Sequence, residues 1–376
     1  MFDVILALTI SFTVAFLAIP VIIRVAALKK LYDIPDERKV HQAPIPALGG
    51  LGLFAGFAFA TLLIANFQEG KELQYFLASA VVVFYLGLKD DIVVISPIMK
   101  FIGQVLAAFV VIYYGNLQIS SMGGFLGITH LPETFSLLFT YLTVIVIINS
   151  FNLIDGVDGL AGSLGLLSTS VFGLYFISVG DTPDAVLAFS MSGAILAFLI
   201  FNFQPARIFM GDTGSLLIGL LNAILVIKFM NVAADPTTSF PISAAPAVGF
   251  SILMVPLFDT LRVFAIRMFQ RRSPFSPDRN HIHHLLLDLG LSHRTIAISL
   301  LSLNAVAIAI AFMLNKAGCN WVIAALSALF FGIIGVLFYL RRQRPRLFVT
   351  PASQLKATDT HGKIVPLPGD AVLQQK

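Results

Sequence analysis

The chain has 376 residues, 57% of them hydrophobic and only 12% charged, where an ordinary soluble domain carries about 25% charged residues. That composition excludes a soluble globular protein, and a single cysteine, Cys319, excludes an internal disulfide and reads as a packed thiol. The net charge of +4 calls for no nucleic-acid partner, because the distribution of the basic residues follows from membrane topology.

Apolar runs between polar breaks predict an all-α polytopic membrane protein with about eleven transmembrane helices, at 3–28, 48–66, 75–89, 98–115, 134–150, 159–179, 185–203, 213–231, 244–269, 295–315 and 320–340. The first run lacks the basic start and small-residue cleavage site of a signal peptide and is too long for one, so it is expected to stay in the mature protein. An odd count puts the chain ends on opposite sides. Of the 24 Lys and Arg residues, all but Lys71, Lys228 and Lys316 fall on the side that holds the C-terminus and the loops after the odd-numbered helices. The positive-inside rule makes that side cytoplasmic and the N-terminus periplasmic. Residues 1–341 then form one integral membrane domain, and the polar tail 342–376 is expected to be poorly ordered.

The same side collects the acids. Asp90 and Asp91 close the third run in GLKDDI, Asp155 and Asp158 follow the fifth in NSFNLIDGVDGL, and Asp212 opens the eighth in FMGDTGS. Carboxylates at a membrane edge are costly, and each one is a functional candidate. Adjacent acids such as Asp90 and Asp91 repel each other unless a cation is near, which suits a divalent metal or a proton acceptor, although a solvated helix end beside Lys89 would look the same. Asn149, Asn152, Asp155 and Asp158 step by three and would form a polar stripe on a continuing helix. Amide and carboxylate oxygens of that kind suit magnesium bridged to phosphates. A calcium loop is excluded, since the other ligand positions of an EF-hand are missing, while a simple Asn/Asp cap with Gly156 and Gly159 as turn residues is the plain alternative. In MGDTGS, glycines beside Asp212 let backbone amides approach an anion, with Thr213 or Ser215 as expected caps of the eighth helix. The loop after the ninth helix, RRSPFSPDRNHIHHLL, is stiffened by Pro274 and Pro277, and offers Arg279, His281, His283 and His284 to phosphate oxygens. Zinc is the alternative ligand for three close histidines, though no cysteine is near. Asp259 and Arg262, three apart, read as an internal ion pair. The first cytoplasmic loop carries Arg38, Lys39 and His41, residues that topology alone would explain.

Taken together these motifs resemble the polyprenyl-phosphate N-acetylhexosamine-1-phosphate transferases, within them the bacterial undecaprenyl-phosphate N-acetylglucosamine-1-phosphate transferases of the WecA type. The resemblance runs from about Asp33 to about His293 and is carried by ERKVHQ near a GG pair, the DD pair, NxxNxxDGxDGL, FMGDTGS and, most specifically, SPFSPDRNHIHH. It implies an eleven-helix fold with the active site built from cytoplasmic loops of a bacterial inner-membrane protein. It also implies magnesium, or manganese in its place, on Asp212 with help from Asn152. Catalytic roles go to Asp90, Asp91, Asp155 and Asp212, with the DD pair near the lipid phosphate and Asp155 near the nucleotide. Substrate-binding roles go to Asn149, Asn152, Asp158, Arg279, His281, His283, His284, Lys39 and His41. The implied partners are UDP-N-acetylglucosamine, undecaprenyl phosphate, the bilayer and a second copy of the chain in a homodimer. The implied reaction is attack of the lipid phosphate on the sugar-bearing phosphorus with release of UMP, either Asp90 or Asp91 taking the remaining proton. It would be the first membrane step of an envelope polysaccharide. Another UDP-N-acetylaminosugar is the nearest alternative donor, and a proton-coupled secondary transporter is the alternative of another class. A transporter would place its charges near the midplane, whereas here they stand at helix ends on one face.

Overall fold

The computed structural model describes residues 1–31, 45–271 and 280–343, with the backbone of two further strands at 348–351 and 371–374. Lys39, His41 and Arg279 lie outside the described residues. In chain order the elements are α1 (Phe2–Lys29), α2 (Gly49–Ile64), α3 (Leu73–Ile92), α4 (Pro97–Phe109, continued by a π turn at Val110–Tyr114), β1 (Ser121–Phe125), β2 (Ile128–His130), α5 (Glu133–Ile154), α6 (Leu160–Val179), α7 (Thr182–Asn202), α8 (Gly211–Ala233), α9 (Ala245–Ile252), α10 (Met254–Phe269), α11 (Ile282–Asp288), α12 (His293–Leu314), α13 (Cys319–Arg342), β3 (Phe348–Pro351) and β4 (Ala371–Gln374). Every predicted apolar run carries helix. Among the described residues eight helices are long and apolar enough to cross a membrane, or nine if a bent pair counts as one span. The protein is thus a helical multi-pass membrane protein. Two short antiparallel strand pairs, β1–β2 and β3–β4, add to the helices, and the short helix α11 stands in a segment that the sequence presents as a proline-stiffened loop.

The bent pair corrects the single helix expected at 244–269. α9 and α10 meet at 86°. Pro256 has no N–H to donate to the Ile252 carbonyl four residues back, which favours a kink or break at this point. The freed groups are taken up by a side chain from another helix. Asn304 of α12, 1% exposed, donates from Nδ2 to the Ile252 carbonyl at 2.9 Å and accepts the Val255 N–H on Oδ1 at 2.9 Å. In an apolar surrounding such groups must find protein partners, and one asparagine supplies both.

α8 is the core helix, buried along nearly its whole length and packed on α2, α3, α5, α6 and α9. Its N-terminal end carries Asp212. Near its other end Lys228 bonds Glu72 at 2.6 Å, just before α3, and lies 3.0 Å from Asp184 at the start of α7. The acids singled out in the sequence therefore stand at the opposite end of the bundle from this ionic group.

Candidate active site

The last turn of α3 meets the first turn of α8. Gly87 makes the approach close enough, since a Cβ there would fall 2.4 Å from the Thr213 Cα. One turn on, the Asp91 carboxylate accepts the Asp212 N–H on Oδ1 at 2.7 Å and the Thr213 N–H on Oδ2 at 3.0 Å, together with the Thr213 hydroxyl. Asp91 therefore caps α8 from a different helix, the task that the sequence assigned to Thr213 or Ser215. Neither of those caps: Thr213 spends its hydroxyl on Asp91, and Ser215 accepts from Asn152 at 2.9 Å. Gly211 enters the helix at φ +70, and a side chain there would meet both the Ala47 carbonyl and the Asp91 carboxylate. Only glycine fits both the angle and the space.

Asp90 turns the other way. It accepts the Ile95 N–H at 2.9 Å and the Lys100 ammonium at 3.2 Å. Lys100 stands in the first turn of α4, which Ser96 caps and Pro97 begins. Its ammonium also reaches Asn152 Oδ1 at 3.3 Å and forms an ion pair with Asp212. Asn152 donates from Nδ2 to Asp212 Oδ1 at 2.7 Å. Four helices, α3, α4, α5 and α8, thus bring two carboxylates, one amide and one ammonium into a single cluster. Lys100 was not among the candidates from sequence, and neither was Gln104 one turn later, which exchanges hydrogen bonds with Asn149 at 2.8 and 3.3 Å.

The polar stripe does not continue as a helix. α5 ends at Ile154, and Asp155, Gly156, Val157 and Asp158 form a loop. Asn202 holds this loop by accepting the Gly159 N–H at 2.8 Å while donating to the Ile208 carbonyl at 2.9 Å. His293, at the start of α12, places Nδ1 at 3.3 Å from both the N–H and the carboxylate of Asp158. Burial, with the charges of Asp212, Asp91 and Asp158, pushes the Asp155 carboxyl up to about 8. The histidines separate as well. His284 lines the cavity, whereas His281 and His283 are buried at 4% and 1% exposure. Burial holds His283 down at about 3, a neutral imidazole at any ordinary pH.

Asp90, Asp91, Asn152, Asp155, Asp158, Asp212 and His284 line one polar cavity of about 780 Å³. Among the described residues no three His, Cys, Asp or Glu side chains converge as a metal cage. Magnesium does not need one, because it is commonly held by one or two carboxylates with water and substrate phosphates completing the sphere. The residues present fit that pattern: Asp212 and Asn152 present hard oxygens, and those oxygens already converge on one positive charge, the Lys100 ammonium. A second cavity, of about 400 Å³, lies between α5, α8, α9, α10 and α13 and is walled almost wholly by apolar side chains such as Phe139, Leu142, Phe250, Leu257 and Phe258.

Comparison with known proteins places this arrangement. The model of glycosyl transferase family 4 matches residues 73–230, the stretch from the start of α3 to near the end of α8. The chain is 32% identical over 290 residues to the decaprenyl-phosphate N-acetylglucosaminephosphotransferase of Mycobacterium tuberculosis (strain ATCC 25618 / H37Rv), covering 70% of each. It is 31% identical to a probable undecaprenyl-phosphate N-acetylglucosaminyl 1-phosphate transferase of Bacillus subtilis (strain 168), covering 78% of this chain and 80% of that one. It is 32% identical to the undecaprenyl-phosphate alpha-N-acetylglucosaminyl 1-phosphate transferase of Escherichia coli (strain K12), covering 72% and 73%. The family match takes in the whole acid cluster, and the relatives share one chemistry on two polyprenyl acceptors; the chain belongs to glycosyl transferase family 4 and is a membrane-embedded sugar-phosphate transferase.

Proposed function

We infer that this enzyme moves N-acetylglucosamine 1-phosphate from UDP-N-acetylglucosamine to undecaprenyl phosphate, releasing UMP, at the cytoplasmic face of a bacterial inner membrane. The observation that carries this reading is the cluster of Asp90, Lys100, Asn152 and Asp212 drawn from four helix ends. Two carboxylates and an amide gather round one ammonium, a net negative cluster that suits a divalent cation, beside a cavity large enough for a nucleotide-sized ligand. The eleven apolar runs then each cross the membrane once, α9 and α10 together making the ninth crossing. The bias of basic residues sets the orientation. The apolar cavity along α10 and α5 suits the acceptor's isoprenoid chain. The relatives named for N-acetylglucosamine support the choice of sugar.

In this reading an oxygen of the lipid phosphate attacks the sugar-bearing β-phosphorus. The bond from that phosphorus to the bridging oxygen breaks, and UMP leaves with that oxygen and its electron pair. One diphosphate linkage forms as one is lost, so the reaction is freely reversible. Bringing several phosphates together is the main obstacle, and positioning with charge neutralisation carries most of the rate. Lys100 offsets phosphate charge directly. Asp90, facing the cluster, takes any proton left on the lipid phosphate, whose second pKa is about 6. Asp91 stays on the α8 amides and keeps Asp212 in place. His284, which lines the cavity, donates to the phosphates; the same role is proposed for Arg279, Lys39 and His41, which lie outside the described residues. Magnesium held by Asp212 and Asn152 would supply further neutralisation of the diphosphate oxygens.

The test is UMP release by purified protein in detergent with undecaprenyl phosphate, a panel of UDP-sugars, and magnesium or EDTA. UMP is expected only with lipid, magnesium and UDP-N-acetylglucosamine, and is lost in Asp212→Ala. Release with a different UDP-N-acetylaminosugar alone would overturn the donor. Release from no donor, beside an active relative, would overturn the reaction.

A further inference from the structure

Asp259 and Arg262 lie on α10, outside the acid cluster and away from the cavity lining. Read from sequence they are an internal ion pair, and they do pair, with Arg262 Nη2 donating to Asp259 Oδ1 at 2.8 Å. The pair also grips three consecutive residues of the histidine segment. Asp259 Oδ1 accepts the Ile282 N–H at 2.9 Å, Asp259 Oδ2 lies 2.8 Å from His281 Nδ1, and Arg262 donates to the Asn280 carbonyl. An acid and a base one turn apart on one helix thus hold a carbonyl, a side chain and an amide at the entry to α11. His281 is the residue immediately before that helix, with extended backbone. Its ring runs nearly parallel to His283, with centroids 5.7 Å apart, and His283 in turn lies 4.3 Å from His284. His283 is held from the far side by the loop that carries Asp155, because a Cβ on Gly156 would fall 2.5 Å from His283 Nε2. Position therefore passes from Asp259 through His281 and His283 to His284, the one of the three that lines the cavity.

We propose that Asp259, acting through His281, is a positioning residue for sugar-phosphate transfer: it fixes the start of α11 so that His284 faces the phosphates. The carboxylate on Nδ1 also fixes the imidazole tautomer, with the proton on the nitrogen facing Asp259 and Nε2 turned away, in the way carboxylates orient histidines elsewhere. An amide in place of the acid cannot do both jobs. Asp259→Asn can keep one oxygen for Ile282, but then turns an NH₂ toward His281 and forces the opposite tautomer. The proposal rests on the assignment of the polar cavity as the site of transfer.

The test compares wild type with Asp259→Asn, Asp259→Glu, His281→Asn and the Asp259→Asn/His281→Asn pair, measuring kcat and donor KM by UMP release. Amide exchange over 281–288 is followed by mass spectrometry in the same detergent. Loss of a hydrogen bond to a charged group predicts a kcat fall of about 10- to 100-fold in Asp259→Asn, with KM within about threefold. Asp259→Glu recovers part of it. The double variant falls no more than about twofold below the worse single variant, because the two residues act in one chain of contacts. Exchange over 281–288 rises about tenfold in Asp259→Asn, while that over 211–233 stays as in wild type. Full activity in Asp259→Asn, losses that multiply in the double variant, a loss in KM alone, or unchanged exchange over 281–288 would each overturn the proposal. If wild type itself releases no UMP, the reading of the cavity fails, and exchange over 281–288 still decides whether Asp259 holds α11.

Discussion

Adjacent aspartates invite a common role, but the geometry gives Asp90 and Asp91 different ones, and replacing each by asparagine separates them. Asp91 receives two amide N–H groups and one hydroxyl from the first turn of α8. Asn at 91 keeps one acceptor oxygen and sets an NH₂ against the Thr213 donors, so about two charge-assisted bonds are lost. Bonds to charged groups contribute about 1.5–3 kcal/mol each, but a helix cap is commonly worth about 1 kcal/mol, and water reaches part of this site. We take about 2 kcal/mol. For a chain of 376 residues at about 2 cal/mol/K of unfolding entropy per residue, that lowers the midpoint by about 2–3 °C. The lone thiol of Cys319, 3% exposed, makes the assay direct: a thiol-reactive dye reports unfolding on heating, and UMP release reports activity. Asp91→Asn is expected to lose both stability and activity, as Asp212 moves with the frayed turn. Asp90→Asn, which uncaps no helix, is expected to lose activity with a midpoint close to wild type. The same midpoint shift in both variants, or an inactive Asp91→Asn with wild-type stability, would refute the division of roles.

Three further outcomes follow from the same geometry. Lys100→Ala removes, among the described residues, the cation that Asp90, Asn152 and Asp212 share and should lower kcat by about 10²- to 10³-fold in the UMP assay, a loss that Lys100→Arg does not repair because a planar fork replaces a point charge. Asn304→Leu leaves the Ile252 carbonyl and Val255 N–H without their partner at the α9–α10 break, which should cost about 2–4 kcal/mol and show as early dye labelling. Asp155 has a folded-state carboxyl raised to about 8 from an ordinary 3.8, so its contribution to stability is complete below about pH 4 and is lost as pH rises through about 8. In EDTA the dye-labelling midpoint should therefore fall between those limits, and the fall should shrink in Asp155→Asn.

Much of this was legible in the sequence because apolar length and charged helix ends are local properties. DD, NxxNxxD and GD mark the ends of α3, α5 and α8, and three of those helices' side chains do meet. The rest depends on partners distant in the chain. Nothing around Lys100 distinguishes it from a lysine that merely starts a helix, and Gln104 is a polar residue in an apolar run whose partner, Asn149, lies 45 positions away. The run at 244–269 reads as one span because an apolar run with proline can be a kinked helix, and the groups freed at the break find their partner in Asn304 on another helix. Helical spacing makes one stripe of Asn149 to Asp158. The helix stops at Ile154, which leaves the asparagines on α5 and sends Asp155 and Asp158 into a loop held by Asn202 and His293. The histidine run offers three donors in sequence, which does not distinguish a histidine that faces a cavity from one that supports its neighbour.

The placement of Asp212 is fixed from both ends of its helix. At the N-terminus Asp91 meets the exposed amides and their partial positive charge, and toward the C-terminus Lys228 bonds Glu72. The two anchors come from the same helix pair, because Glu72 immediately precedes α3 and Asp91 ends it. α3 and α8 are thus tied together at both ends, and sliding α8 by one turn would break both ties at once. A catalytic carboxylate at the tip of a helix is ordinarily exposed to fraying. Here the helix that presents it is buried along its length and tied at both ends, so the cluster with Asn152 and Lys100 inherits the rigidity of the bundle rather than that of a loop.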